Sequence, residues 1–574
     1  MTSYVVTSAP PNPNGDLHLG HLSGPFLGAD VLSRHLRQRG HDVRYVGYSD
    51  EHSCYVPRRA AEIGSTAYPT AKLFGDRMEE TLSLGAMRHD WFTRPLTDPV
   101  HTEFVQRFFL DLWEAGALEV QELPVFHCAP CDRYLYEAEV RGECQFCAEP
   151  SDGVYCEACG LPQDPAGLAA PVCTACRSTP GTRTVRRIVL PLERWREPLT
   201  AYYADAQATA EWRPRLVAYL EGLFARELPD TPVSREADYG IPVPLPGWEG
   251  HILDTWFSGI WGYAAATARL AEARGDRSEW ERLWTDPDTR IVNFIGFDCS
   301  FSHAVLWPAL LLARGGLTLP AQVVTNEFYR LEGDKFSTSR GHAIWGGEFL
   351  RRVNADALRF HLCLTGPERA QNNFSTKEFS DTLSTVLAGS LERWTDTVLD
   401  LLAQDFGSVV PGAGSADGAD GPDGADGTDW ADRADGGPLA AERAALPGRI
   451  AAALGAEAFS PQRAADALAT VIERADADLR ELSLLRAGGR RAEYAARLAA
   501  HAELLAAVAV TAAPLMPGWS AFLAGHLGLP VDLDTRMPSW SLLGDTDGQL
   551  PDGRLLAPGT VLPAAVPLYF HELA

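Results

Sequence analysis

Lysine is almost missing from this chain. Of 50 basic residues only Lys72, Lys335 and Lys377 are lysines, and arginine supplies the rest. Where arginine serves nearly everywhere, each remaining lysine is worth checking. A positive balance is missing too. The net charge of −26 excludes indiscriminate attraction to nucleic acid, while leaving room for a local basic groove. No run of eighteen apolar residues occurs, so no membrane partner is expected. The opening Met1-Thr2-Ser3-Tyr4-Val5-Val6 lacks the basic-then-apolar layout of a leader, which predicts a cytoplasmic protein.

What is present exceeds one core. The chain has 574 residues, 46% of them hydrophobic, and predicts three or four domains. Tyr4 to Ser8 reads as a strand, broken by Ala9-Pro10-Pro11-Asn12-Pro13-Asn14-Gly15. After Gly20, Leu22, Phe26, Ala29, Leu32 and Leu36 recur at helical spacing, with Pro25 in the opening turns and Gly40 as the stop. Val43 to Tyr48 is a second strand, and strand–helix–strand implies a right-handed crossover in a parallel sheet. Strand signals return at Arg290 to Ile295 and at Leu317 to Val324. From about Glu378 the chain turns rich in alanine and leucine with helical periodicity. An insert interrupts it, with Asp417, Asp420, Asp423, Asp426, Asp429, Asp432 and Asp435 three residues apart among glycine and alanine. Carboxylates suit calcium, but so little apolar content favours a disordered segment over residues 410–438.

Two short constellations carry chemistry. His18-Leu19-Gly20-His21 stands at the mouth of the first helix, where free backbone N–H groups and the helix dipole favour phosphate. Gly20 admits a base or ribose close to the backbone, and two imidazoles offer donors. Far downstream, Lys335-Phe336-Ser337-Thr338-Ser339-Arg340-Gly341 presents an ammonium, hydroxyls and a guanidinium on a Gly/Ser-rich loop. Such groups suit a leaving pyrophosphate, whose charge grows in the transition state. Each motif alone has an ordinary structural reading.

Eight of the eleven cysteines form Cys-x-x-Cys pairs: Cys128/Cys131, Cys144/Cys147, Cys156/Cys159 and Cys173/Cys176. Without a leader, that pattern reads as zinc knuckles rather than disulfides, with four thiolates to each ion.

Taken together, His18 to His21 resembles the "HIGH" signature of class I aminoacyl-tRNA synthetases, and Lys335 to Ser339 their "KMSKS" loop. Thr7 to Gly15, Asp50-Glu51-His52, Trp256-Phe257, Phe294 to Asp298 and His303 to Pro308 narrow the resemblance to the methionyl-tRNA synthetases. The resemblance implies an α/β fold: a Rossmann-like class I catalytic domain with a zinc-knuckle insertion, followed by an all-α helical bundle. Its parts would be residues 1–112 and 191–315 (catalytic), 113–190 (insertion), 316–380 (signature loop and stem contact), 381–545 (helical) and 546–574 (C-terminal segment). It implies an amino acid and ATP as substrates, with Mg2+, and two structural Zn2+ ions. One ion falls to Cys144, Cys147, Cys156 and Cys159, the other to Cys128, Cys131, Cys173 and Cys176. His18, His21, Lys335, Ser337 and Ser339 would serve catalysis, and Gly20, Gly296, Asp298 and Arg340 would bind ATP. Asp50 would hold the substrate ammonium. Ala9, Pro10, Asn12, Trp256, Tyr263, Cys299, Ser302, His303 and Trp307 would surround the amino acid.

The sequence also departs from that family. Pro10 and Asn12 stand where leucine and tyrosine are usual, and Cys299 and Ser302 replace larger apolar residues, giving a more polar pocket than a thioether wants. Thr338 replaces the second signature lysine. The family reads its anticodon with an asparagine and an arginine early in the helical domain and a tryptophan later. Between Leu383 and Thr397 only Arg393 answers, and Leu479 to Arg490 holds no aromatic. Stacking of unpaired bases needs aromatic faces. The expectation is therefore adenylate formation followed by transfer to a small-molecule or carrier acceptor, with tRNA charging as the alternative. A zinc-knuckle protein that only binds RNA is a remote third reading.

Overall fold

The structure is a computed structural model and describes residues 1–163, 166–336, 342–412, 438–532, 535–543 and 555–570. Most of the acidic insert, residues 413–437, lies outside the described residues.

Five strands form the main sheet: Ser3–Ser8 (β1), Asp42–Tyr48 (β2), Trp91–Thr93 (β3), Arg290–Gly296 (β4) and Pro320–Asn326 (β5). They lie in the order β5-β4-β1-β2-β3, and every neighbouring pair is parallel. Side chains alternate across the sheet, as a period of two requires. Tyr4 and Val6, Val43 and Tyr45, and Val292 and Phe294 enter one core. Val5, Val46, Tyr48, Ile291 and Ile295 enter the other. Both faces are covered, so these strands read as apolar runs. Where the order turns outward on either side of β1, the C-terminal strand ends leave a crevice.

The first helix differs from its sequence reading. Helical backbone begins at Leu19 but widens at Leu22–Phe26, where Gly24 leaves helical angles (φ −104°, ψ −114°). Pro25 lacks the N–H that a regular turn needs, so the chain kinks before Leu27–Gln38 continues. A Cβ on Gly24 would meet the Asn326 amide at 2.6 Å, which explains why the close approach falls there. Gly40 ends the helix with φ +80°.

Between β3 and β4 a long antiparallel pair, Glu119–Cys128 with Gly181–Pro191, forms a stem. The cysteine pairs sit at its far end, beside a small sheet of Val140–Glu143, Pro150–Ser151 and Ala169–Cys173. Beyond β5, helices Arg393–Phe406, Pro438–Leu454, Pro461–Ala487, Arg491–Thr511 and Pro517–His526 form the helical part. Trp394, Leu468, Leu504 and Trp519 from these helices share one continuous core with Tyr4, Val6 and Phe294 of the sheet. Fully buried Arg359 stitches the parts together. It pairs with Asp30 at 2.7 Å and donates to the carbonyls of Gly85, Pro514 and Leu515. No helix among the described residues is long and apolar enough to cross a membrane.

Candidate active site

A cleft of about 480 Å³ opens at the C-terminal ends of the strands. Ala9, Pro10 and Asn12 line it after β1, Tyr48 and Asp50 after β2, and Gly296, Asp298 and Cys299 after β4. Gly20, His18, His21, Trp256, Ser302 and His303 complete the part foreseen from the sequence.

His18 and His21 cap each other. His21 N–H donates to His18 Nδ1 at 3.3 Å, and His18 N–H donates to His21 Nδ1 at 3.1 Å. Their rings stack at 3.7 Å. Burial holds the His21 imidazole down at about 4, and burial with the neighbouring imidazole holds His18 lower still. Both rings are therefore neutral near pH 7. With each Nδ1 accepting from backbone, each proton sits on Nε2, so both offer a neutral N–H donor. Gly20 lies against His18, 3.0 Å from where its Cβ would stand, which leaves a flat backbone wall.

The two motifs meet although more than 300 residues separate them. Asp334–Lys335 pairs with Tyr329–Leu331, and Phe336 stacks on His18 at 4.7 Å. On the other side of the loop, Leu19 N–H donates to Ile344 O at 3.1 Å and Gly346 N–H to Leu17 O at 2.7 Å. Both flanks of the loop are thus pinned to the His18 segment. Ser337, Thr338, Ser339 and Arg340 themselves lie outside the described residues, and Lys335 is described by its backbone alone.

Asp50 sits at the floor. Burial first, then the charge of Glu137, push its carboxyl well above the ordinary range. Together with Asp50, the carboxylates of Glu137 and Asp254 face two guanidinium groups (Arg187, Arg235), while neighbouring Glu51 is matched by Arg94. Arg187 reaches Asp254 at 3.3 Å, and Arg235 reaches Glu137 at 3.3 Å. No cation is paired with Asp50 among the described residues, so the cluster lacks one positive charge. An ammonium would supply it.

His303 lines the cleft as a neutral ring, lowered to about 4 by burial. Its Nε2 meets Tyr263 OH at 2.8 Å and its Nδ1 meets Ser302 Oγ at 2.9 Å. Tyr263 is fully buried behind that ring rather than on the wall. Trp307 also stands back from the cleft, packed edge-on against Trp261 at 4.9 Å. Asn12 presents a buried amide oxygen with no partner. Sequence reasoning missed Tyr48, Glu137 and Tyr155, which line the same cleft. Gly262 carried a signal for Tyr48, because a Cβ there would strike the ring at 2.7 Å.

The eight cysteines form two clusters with the partners expected from the resemblance: Cys128, Cys131, Cys173 and Cys176, and Cys144, Cys147, Cys156 and Cys159. Sulfur–sulfur distances of 3.4 Å (Cys128–Cys176) and 3.9 Å (Cys131–Cys173, Cys144–Cys159) bracket the value of about 3.8 Å set by tetrahedral thiolates on zinc. With every ligand a protein thiolate, the clusters fit structural zinc. Metal analysis should find two zinc ions per chain, and Cys128→Ser and Cys144→Ser should each remove one. A folded, metal-free preparation would exclude the assignment, since such loops have little core of their own.

Residues 4–397 match the family model described as tRNA synthetases class I (M). The methionine–tRNA ligase of Chlorobium limicola is 33% identical over 420 residues, covering 72% of this chain and 59% of that protein. This chain therefore spans about three fifths of that relative's length. The ligase of Pyrobaculum islandicum is 34% identical, with 72% of each chain covered. Among solved structures, Mycobacterium tuberculosis methionyl-tRNA synthetase bound by methionyl-adenylate superposes with a TM-score of 0.75. Identity there is 20%, over 98% of this chain and 99% of that one, a likeness of fold.

Proposed function

We infer, from the premise that this chain belongs to the class I (M) tRNA synthetases, that it activates an amino acid with ATP and passes the product to tRNA. One observation carries the chemical step. A single cleft gathers His18, Gly20 and His21, the start of the Lys335 loop and an acidic floor short of one cation.

In this reading the substrate ammonium settles on Asp50 and replaces the proton that burial holds there. The Asp50 proton leaves to solvent, and the substrate's own carboxylate attacks the α-phosphorus of ATP, whose bond to the oxygen bridging to the β-phosphorus breaks, giving aminoacyl adenylate and pyrophosphate. Magnesium, where it accompanies ATP, would shield the phosphate charge that the His18 and His21 donors meet. The Nε2–H groups of His18 and His21 donate to phosphate oxygens, and the resemblance assigns Lys335, Ser337, Ser339 and Arg340 to the leaving pyrophosphate. Gly296 and Asp298 take the ribose and adenine side. Trp256, His303, Asn12, Pro10, Ala9, Cys299 and Ser302 shape the amino-acid side, with Tyr263 and Trp307 supporting from behind. The two zinc ions are structural.

The relatives are named as methionine–tRNA ligases, and this favours tRNA over the small-molecule acceptor expected from the sequence. One observation favours that other acceptor. Among the described residues no aromatic in the helical part is exposed, and Arg393 donates to both carboxylate oxygens of Asp476 through Nε and one terminal nitrogen. Pyrophosphate exchange over the twenty amino acids without tRNA, then charging of methionine tRNA, tests both steps. Exchange with at least one amino acid and charging at a comparable rate are expected. Exchange without charging would move the acceptor away from tRNA, and absence of both would overturn the reading.

A further inference from the structure

Glu137 belongs to the insertion, yet its carboxylate lies on the wall of the cleft in the catalytic part. It is 5% exposed. Its Oε1 accepts from Trp256 Nε1. Its Oε2 accepts from Arg235 NH1 at 3.3 Å and from the Cys54 thiol at 3.2 Å. Trp256 is held a second time, because Asp254 caps its helix by accepting from its backbone N–H at 3.2 Å. The orientation of this indole therefore depends on two acids, one of them delivered from another part of the chain.

The delivery is specific. Glu137 opens a short turn, Glu137–Glu139, with φ +41°, a conformation that a β-carbon disfavours and that its surroundings must enforce. Thr174 enforces it. Its N–H donates to Glu139 O at 2.9 Å, and its hydroxyl donates to Ala138 O at 3.0 Å. Arg58 from the catalytic part reaches the same Ala138 carbonyl at 2.7 Å. Thr174 stands between Cys173 and Cys176, two members of one cysteine cluster. A continuous path thus runs from that cluster through Thr174 to the turn, and from Glu137 to Trp256, Arg235 and the acidic floor.

We propose that Glu137 is a positioning residue of the amino-acid site, held in place by the Cys128/Cys131/Cys173/Cys176 cluster through Thr174. It does two things. It fixes the Trp256 indole, and it supplies the negative charge that leaves the Asp50, Glu137, Asp254, Arg187 and Arg235 group one cation short. With glutamine at position 137 the remaining two carboxylates balance two guanidinium groups, and the pull on an ammonium is lost. This inference rests on the adenylation reading for its kinetic consequence, and on geometry alone for the link to the cysteine cluster.

The test has two arms. In pyrophosphate exchange with the best of the twenty amino acids, Glu137→Gln should raise KM for the amino acid at least tenfold and leave KM for ATP within twofold. The rise of kcat/KM with pH should also shift to lower pH, because the charge that opposes Asp50 ionisation is gone. Glu137→Asp, which keeps the charge, should retain the parent pH profile. An unchanged KM for the amino acid, an equal rise in both KM values, or an unshifted profile would overturn the positioning role. The second arm needs no activity. Thr174→Val should keep two zinc ions, and iodoacetamide should alkylate Cys54 at least fivefold faster than in the parent, read by peptide mapping. Cys173→Ser should lose one zinc and show the same acceleration. Unchanged Cys54 reactivity in both variants would overturn the link. If the parent supports no exchange with any amino acid, the adenylation reading and with it the kinetic role of Glu137 fall, while the alkylation arm still decides the link.

Discussion

Asp50→Asn will lower kcat/KM for the amino acid about a thousandfold in pyrophosphate exchange, with KM for ATP nearly unchanged. Removing one partner of a buried charge pair costs about 2–5 kcal/mol or more, and every 1.4 kcal/mol is a factor of ten. The loss falls on the amino acid because the two carboxylates grouped with Asp50 already have partners: Glu137 is engaged by Arg235 and Trp256, and Asp254 by Arg187. The parent enzyme should show a matching pH dependence. The carboxyl of Asp50 is raised by burial and by Glu137, so at low pH it is a neutral acid that cannot hold an ammonium. As pH rises through its pKa the carboxylate appears and binding tightens. The limb of kcat/KM should therefore ascend with pH above the ordinary carboxylate range, and Asp50→Asn should abolish it. A descending limb there, or a variant with full activity, would remove Asp50 from the site.

Lys335→Ala will slow exchange about a hundredfold, mainly in kcat, the scale for losing one donor that acts on transition-state charge. Its neighbours give the reason for expecting kcat to carry the loss. Phe336 seats the loop on the His18 ring, so ATP still meets a formed wall when the ammonium is gone. The ammonium acts where charge grows on the departing pyrophosphate, an interaction stronger in the transition state than in the ground state. With Thr338 where the family has its second lysine, no other ammonium is at hand within the loop. Exchange at the parent rate would exclude Lys335 from the chemistry.

Much of this architecture could be read from local rules, and the failures have local reasons. The β1–helix–β2 unit followed from apolar spacing and its glycine stop. The four cysteine pairs followed from their Cys-x-x-Cys spacing, and their grouping from resemblance. Each signal is contained in a short window. The kink at Leu22–Phe26 was missed because Pro25 is compatible with an opening turn, and only the close approach of Asn326 shows why Gly24 must bend there. Strand β3 has three residues, too few to show a period. Glu137, Tyr48 and Arg235 sit in no motif. Their importance comes from partners dozens or hundreds of residues away, which only tertiary structure brings near. Trp307 shows the opposite case, a motif residue whose motif did not reveal that it faces Trp261 rather than the cleft.

The core shared by the sheet and the helices bears on how this chain could diverge. The helix Leu27–Gln38 covers one face of β1, β2 and β4, and its Leu27, Leu32 and Leu36 continue into the same core as Trp394, Leu468, Leu504 and Trp519. Arg359 draws five carbonyl or carboxylate contacts across the same seam. Deleting the helices would expose the far side of that shared core, and net stability is too small to absorb a large loss of burial. The shared core is by itself a reason for the helices to persist, whatever they touch outside. Ancestral surfaces for RNA can erode residue by residue on such a scaffold while the scaffold stays whole, so the presence of the bundle testifies to folding and is silent about the anticodon.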